Sequence, residues 1–333
     1  LADSGSPKVA RPTSSLFRPI EQDLRRVEER IRAATEIDHP LLCALLQQVM
    51  LAPGKRLRPA LTIASGRLFR SSSASLEAMA AAIEFLHTAT LIHDDVIDLS
   101  DLRRGEPTLA SLAGERVAIL VGDYLFAEAA ATASQTNNLR IMRLFAESVM
   151  TVCRGQIHEG PHEGLPDTVL DRERYYRTIE AKTAALFMLA CHAGAILGEA
   201  TFEQTEALRR YGRSLGLAFQ IADDVLDLVG DERVMGKPAG SDLRQGLVTL
   251  PMIYLRDELP EELLRAASCD DGARDAAIQQ IASIARTSRG VERVQREARD
   301  LVDEALAALT ALPAGICNDL LADLATAAIT REA

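Results

Sequence analysis

Six aspartates carry the chemistry in this sequence. Asp94, Asp95 and Asp98 stand in LIHDDVIDLSDLRRGEPT, and Asp223, Asp224 and Asp227 stand in FQIADDVLDLVGD. Each set is a D-D-x-x-D inside an apolar stretch of helical period. At about 100° per residue, the first and last aspartates of a set lie about 40° apart on one helix face. Like charges so placed cost an isolated helix roughly 0.2–0.5 kcal/mol per pair. A chain that carries this penalty twice, each time in an apolar stretch, calls for a cation. Carboxylates in this number suit Mg²⁺, which takes octahedral oxygen ligands and shares its shell with water and phosphate. A calcium loop alternates its ligands along the chain, and no Cys/His set here has zinc spacing. The competing reading is a salt-bridge network. The recurrence of one five-residue pattern beside cationic segments weighs against it.

The cations are of the kind that hold phosphate. Gly54-Lys55-Arg56-Leu57-Arg58-Pro59 is a basic turn running into a helix. Dense positive charge at a helix start suits an anion, and a solvated basic loop is the plain alternative. His87 lies seven residues before Asp94, about 20° from it on the same face, and lines a site. His93 points elsewhere and reads as structural. Arg103 and Arg104 follow the first cluster, either as charge partners or as forks for a diphosphate. Lys182-Thr183 sits in the apolar run EAKTAALF. Lys182 either pairs with Glu180 or snorkels, or it faces the same cavity as the aspartates. Gln220 precedes Asp223 by three residues and shares its side. Lys237 lies in the Gly-rich stretch 231–246, a candidate mobile lid.

Helices must position these residues. The chain has 333 residues, is 47% hydrophobic and 4% aromatic, and lacks Trp. Alanine and leucine dominate, and no long run alternates with period two, so an all-α protein is expected. The periodicity predicts helices near 16–34, 39–51, 57–70, 74–101, 112–134, 138–158, 169–198 and 202–230. The loop 159–168 separates two of them, and amphipathic helices without visible chemistry fill 247–333. Residues 1–15 are expected to be a flexible leader and 16–333 a single domain. Net charge is −11, which argues against nucleic acid as partner. Five scattered cysteines fit a reduced, cytoplasmic protein. No uninterrupted apolar run reaches transmembrane length, so no transmembrane segment is expected.

Together these stretches resemble the trans-isoprenyl diphosphate synthases, the polyprenyl synthetases. PGKRLRP, EFLHTATLIHDDVIDLSDLRRGEPT, GDYLF, EAKTA, FQIADDVLD and GKPAGSDLRQGLVTLP occur in that family's order, from about 53 to 251. The resemblance implies antiparallel helices around a deep central cavity, Mg²⁺ as cofactor, and a homodimer. It implies that Asp94 and Asp98 ligate Mg²⁺ bridging the allylic diphosphate, with Asp95 in support. Asp223 would bind a further Mg²⁺ from the opposite wall, with Asp224 and Asp227 assisting directly or through water. Arg103, Lys182 and Lys237 would contact the allylic diphosphate. Lys55, Arg58, His87 and Arg104 would hold isopentenyl diphosphate. Thr183 and Gln220 would offer dipoles to the developing allylic cation.

One departure concerns charge. Leu247 stands where the family often has Lys, which removes one expected cation. The positions five and four before the first aspartate, Ala89 and Thr90, are small where short-chain relatives place aromatics. That favours a long-chain product, with a farnesyl or geranylgeranyl diphosphate synthase as the alternative. Three rival functions remain: a terpene cyclase, a non-catalytic regulatory subunit and a Mg²⁺-dependent phosphohydrolase. The intact second D-D-x-x-D argues against the first, and retention of all six aspartates argues against the second. Coupled product formation separates the third.

Overall fold

Apolar residues recurring every three to four positions make this chain helical throughout the described residues, apart from a two-residue β pair. The structure is a computed structural model that describes residues 15–52, 54–69, 73–103, 105–159, 171–230, 239–268 and 272–330. The expected leader lies outside the described residues up to 14, and Ser15 already opens a 3₁₀ turn, Ser15–Ile20. The helices α1 (Glu21–Thr35), α2 (Pro40–Met50), α3 (Leu57–Arg67) and α4 (Ser73–Ile97) follow. Then come the antiparallel pair β1 (Leu102–Arg103) and β2 (Glu106–Pro107) and the short α5 (Leu109–Ala113). Next are α6 (Glu115–Ser134), α7 (Leu139–Glu159), α8 (Arg172–Ile179), a π turn (Glu180–Ala184), α9 (Ala185–Leu197) and α10 (Phe202–Val229). The helices α11 (Ser241–Arg244), α12 (Leu250–Leu255), α13 (Glu261–Ser268), α14 (Arg274–Ala285), α15 (Arg289–Leu309) and α16 (Ile316–Ile329) complete the chain.

The helices that carry the aspartates are the core. The α4 helix packs chiefly on α6, and α10 is sandwiched between α9 and α15. Phe85 of α4, Phe187 of α9 and Tyr211 of α10 are fully buried. Each buried large apolar side chain contributes about 1.5–3 kcal/mol. A capping box opens α10, with Thr201 Oγ1 accepting from Gln204 N and Gln204 Oε1 accepting from Thr201 N. Asp23, 2% exposed, accepts Arg26 at 2.5 Å and Arg67 at 2.7 Å and so pins α1 to α3.

Two glycines set how closely the π turn is held. A Cβ at Gly216 of α10 would lie 2.6 Å from Ala184 Cα. A Cβ at Gly155 of α7 would lie 2.8 Å from Lys182 N. The backbone that carries Lys182 and Thr183 is therefore clamped between α7 and α10.

No apolar run is uninterrupted over a transmembrane length, but mean hydropathy is a more permissive measure. Among the described residues, Ala74–Ile97, Glu115–Ser134 and Arg172–Leu197 are long and apolar enough to cross a membrane, by length and composition. Mean hydropathy tolerates isolated charges such as Glu84, which interrupt a strict apolar run. The first and third of these windows are 78% and 61% buried in the protein's own core, but the second only 39%. Its outer face shows Ile119 and Leu120, and the neighbouring α7 shows Met150 and Ile157.

Candidate active site

The C-terminal half of α4 presents the first cluster. Asp94 Oδ2 lies 3.8 Å from Lys182 Nζ, an ion pair across two helices. Asp95 is 6% exposed and turned toward the β pair, where Arg103 Nε and Nη2 both lie 2.7 Å from its Oδ1. Asp98 is exposed at the end of α4. The desolvation it does meet there raises its carboxyl from the ordinary value, against the pull of Lys182 and Arg103 and with a push from Asp95. His87 is half-buried, and its carbonyl accepts Thr90 Oγ1 at 2.7 Å. Ala89 has no exposed surface, whereas Thr90 is half-buried. His93 rests on α6, against the Phe126 ring at 5.4 Å and the Ile119 carbonyl at 3.2 Å. That agrees with its structural reading.

The opposite wall is built around the π turn. Widened turns of this kind occur often at functional sites, because one extra residue re-aims the side chains. Glu180 at its start is gripped by Arg213 of α10, with Nε on Oε1 at 2.8 Å and Nη2 on Oε2 at 2.5 Å. This leaves Lys182 to Asp94. Thr183 Oγ1 donates to Gln220 Oε1 at 2.6 Å. Gln220 Nε2 donates to Asp224 Oδ1 at 2.7 Å, and Tyr175 Oη donates to Asp224 Oδ2 at 2.6 Å. Asp224 is 4% exposed. Burial pushes its carboxyl well up, and Asp242 and Asp223 add to the push, while the bonds from Tyr175 and Gln220 pull it down. Burial, then the Asp224 charge, likewise hold the Tyr175 hydroxyl well above its usual value.

Asp227 anchors the chain where it returns to the site. Its carbonyl accepts Gly240 N at 2.7 Å and its Oδ2 accepts Asp242 N at 3.0 Å. Leu247 N in turn bonds to the Asp242 carbonyl at 2.9 Å. Asp223 lies half-buried on the same helix. Lys237, with 231–238 of the expected lid, lies outside the described residues, as does Arg104.

The basic turn is divided between two tasks. Lys55 is exposed. Arg58 is half-buried with its guanidinium 4.8 Å above the Phe187 ring. Arg56 adopts a left-handed backbone, φ 48°, and turns inward. Its Nη1 donates to Glu84 Oε1 at 2.8 Å and its Nη2 to the Met50 carbonyl at 2.7 Å. Arg56 is thus a structural contact within this turn, while Arg58 lies on α3, which packs against α4 and α9.

The structure thus joins Asp94 to Lys182, Asp95 to Arg103, and Thr183 to Gln220 and Asp224. Sequence reasoning missed Tyr175, Asp242, Arg213 and the π turn. Asp242 had a faint signal, an acid directly after Gly240-Ser241 in a segment following the second cluster. Among the described residues, no three acidic, His or Cys side chains converge closely enough to hold a metal by themselves. Mg²⁺ seldom needs such a cage. It is commonly held by one or two carboxylates with phosphate oxygens and water completing the shell. Asp94, Asp98 and Asp223 supply hard oxygen donors of that kind, so the donor set fits.

Comparison with known proteins places this geometry. Residues 39–285 match the family model described as Polyprenyl synthetase. The chain is 36% identical over 313 residues to heptaprenyl diphosphate synthase component 2 of Geobacillus stearothermophilus, covering 93% of this chain and 96% of that one. A polyprenyl synthase from Caulobacter crescentus, solved with calcium and isoprenyl diphosphate, superposes with a TM-score of 0.87 at 35% identity, covering 98% and 100% of the two chains. A geranylgeranyl pyrophosphate synthetase from Pyrococcus horikoshii superposes with a TM-score of 0.85 at 30% identity, covering 95% and 98%.

Proposed function

The chain belongs to the polyprenyl synthetase family of prenyltransferases, and from that premise we propose that it condenses isopentenyl diphosphate with an allylic diphosphate, head to tail and trans, to a long-chain polyprenyl diphosphate. The observation that carries this reading is the approach of Lys182 to Asp94 from the opposite wall, with Thr183 and Gln220 bonded beside it. These contacts support a reading in which cations, carboxylates and neutral dipoles share one site.

Mg²⁺ held by Asp94, Asp98 and Asp223 would supply charge stabilisation for the departing diphosphate. Lys182, Arg103 and Lys237 bind the allylic diphosphate and favour its leaving as an anion. Lys55, Arg58, His87 and Arg104 hold the second substrate in line, so that its alkene meets the allylic carbon at short range. The Gln220 amide oxygen holds the Thr183 hydroxyl, whose own oxygen faces the positive charge that develops there. A proton is then lost to the released diphosphate. Water must be kept out, because it would capture the cation as an alcohol.

The long-chain reading rests on the small residues Ala89 and Thr90, and on relatives such as the heptaprenyl synthase component. One observation favours the shorter alternative, farnesyl or geranylgeranyl diphosphate. Ala89 has no exposed surface, so on this stretch of α4 any room below Asp94 opens at Thr90. A homodimer is proposed from the apolar residues Ile119 and Leu120 on α6 and Met150 and Ile157 on α7. Cytoplasmic placement is proposed from the free thiols Cys43, Cys153, Cys191 and Cys317. Incubation with farnesyl and isopentenyl diphosphates and Mg²⁺, followed by product sizing, tests activity and chain length together. Phosphate release without a longer prenyl product would overturn the assignment.

A further inference from the structure

The second D-D-x-x-D has unequal members. Asp224 is 4% exposed, and both its oxygens are engaged by protein donors, Gln220 Nε2 at 2.7 Å and Tyr175 Oη at 2.6 Å. A metal ligand needs a lone pair aimed at open space, and this carboxylate is turned into the protein instead. Its engagement has a direction. Because the amide nitrogen of Gln220 points at Asp224, the amide oxygen points at Thr183 and accepts its hydroxyl proton at 2.6 Å. The Thr183 hydroxyl hydrogen is then committed, and its oxygen lone pairs are what remain to face outward. An oxygen so oriented favours positive charge beside it. Reversing the Gln220 amide would present a hydroxyl hydrogen there, which repels positive charge.

We propose that Tyr175 and Asp224 are a positioning pair, which fixes the direction of the Gln220 amide and the Thr183 hydroxyl, and that Asp224 does not ligate the metal. The proposal rests on the prenyltransferase reading above. The geometry supports it from outside the bonded chain as well. Thr183 sits on the π turn that Gly155 and Gly216 clamp, so the hydroxyl has little freedom to find another partner. Tyr175 lies on α8, seven residues before Lys182. It reaches Asp224 across 49 residues of chain, which local helix formation alone would not require.

The test uses the full-length protein with Tyr175→Phe, Asp224→Asn and the double variant, under the condensation assay with Mg²⁺ titration. Tyr175→Phe removes one oxygen, and Asp224→Asn is isosteric. Circular dichroism and Tm check the fold of each, and Tyr175→Phe carries the test if the asparagine variant does not fold. The expected result is a fall in kcat of about tenfold for each single variant, the scale of one buried hydrogen bond lost. KM for both substrates and the half-saturating Mg²⁺ concentration stay within about twofold, and the double variant is no slower than the worse single, since both break one chain of bonds. A rise in Mg²⁺ requirement of about tenfold for Asp224→Asn would place Asp224 on the metal and overturn the proposal. So would full kcat in Tyr175→Phe. Absence of condensation by the unmodified protein is a different failure, because it removes the functional reading and this proposal with it.

Discussion

Arg213 and Glu180 form a two-pronged ion pair, Nε to Oε1 at 2.8 Å and Nη2 to Oε2 at 2.5 Å, between α10 and the first residue of the π turn. The pair is more than a third exposed on both sides, so its share of stability is small, about 0–1 kcal/mol. Its effect lies in geometry, because Lys182 and Thr183 follow within three residues of Glu180. Arg213→Met is expected to leave Tm nearly unchanged and to slow condensation about tenfold, through misplacement of those two side chains. Parallel calorimetry and steady-state kinetics check this. A loss of Tm with unchanged kcat would refute it.

The aspartates lead to a sharper expectation. Asp94→Ala removes the partner that Lys182 approaches at 3.8 Å, and Asp223→Ala removes a half-buried carboxylate on the facing helix. Either change should abolish condensation while far-ultraviolet dichroism stays native. Normal turnover by either variant would end the assignment of these clusters to the reaction.

Arg56 makes a prediction about stability. It is buried against Glu84, with side chains 15% and 10% exposed. Arg56→Met would strand Glu84 as an uncompensated buried charge, at a cost of about 3–5 kcal/mol. Urea unfolding reads that cost directly. Adding Glu84→Leu should recover much of it, and failure to recover would show that the pair is not the source.

Product length is tested on α4. Ala89→Phe is expected to shorten the product, read by chromatography of the dephosphorylated chains. Ala89 is fully buried, so overpacking there costs about 1–3 kcal/mol, and Thr90→Phe at the half-buried neighbour serves as the companion. An unchanged product distribution from both would remove these positions from the tunnel.

Much of this was legible before any coordinates. The aspartate clusters and Gln220 could be read because helical period sets them on shared faces, whereas the roles of Lys182 and Thr183 came from the family resemblance. The helix spans followed for the same reason. The π turn was not legible, since no residue type encodes a single widened turn. Tyr175 and Asp242 escaped because their partners, Asp224 and Asp227, lie 49 and 15 residues away, where period says nothing. Arg56 looked like its neighbours Lys55 and Arg58. Only its left-handed backbone separates it from them and sends its side chain to Glu84.

The clamp made by Gly155 and Gly216 has a consequence for redesign. The part of the chain read as handling the leaving group is mounted on α7 and α10 with no slack for even one methyl group. The residues read as governing product length sit on α4, a different helix. A designer can therefore treat length as an adjustable setting on α4 while leaving the mount untouched. An attempt to retune Lys182 or Thr183 would instead have to rebuild three helices at once.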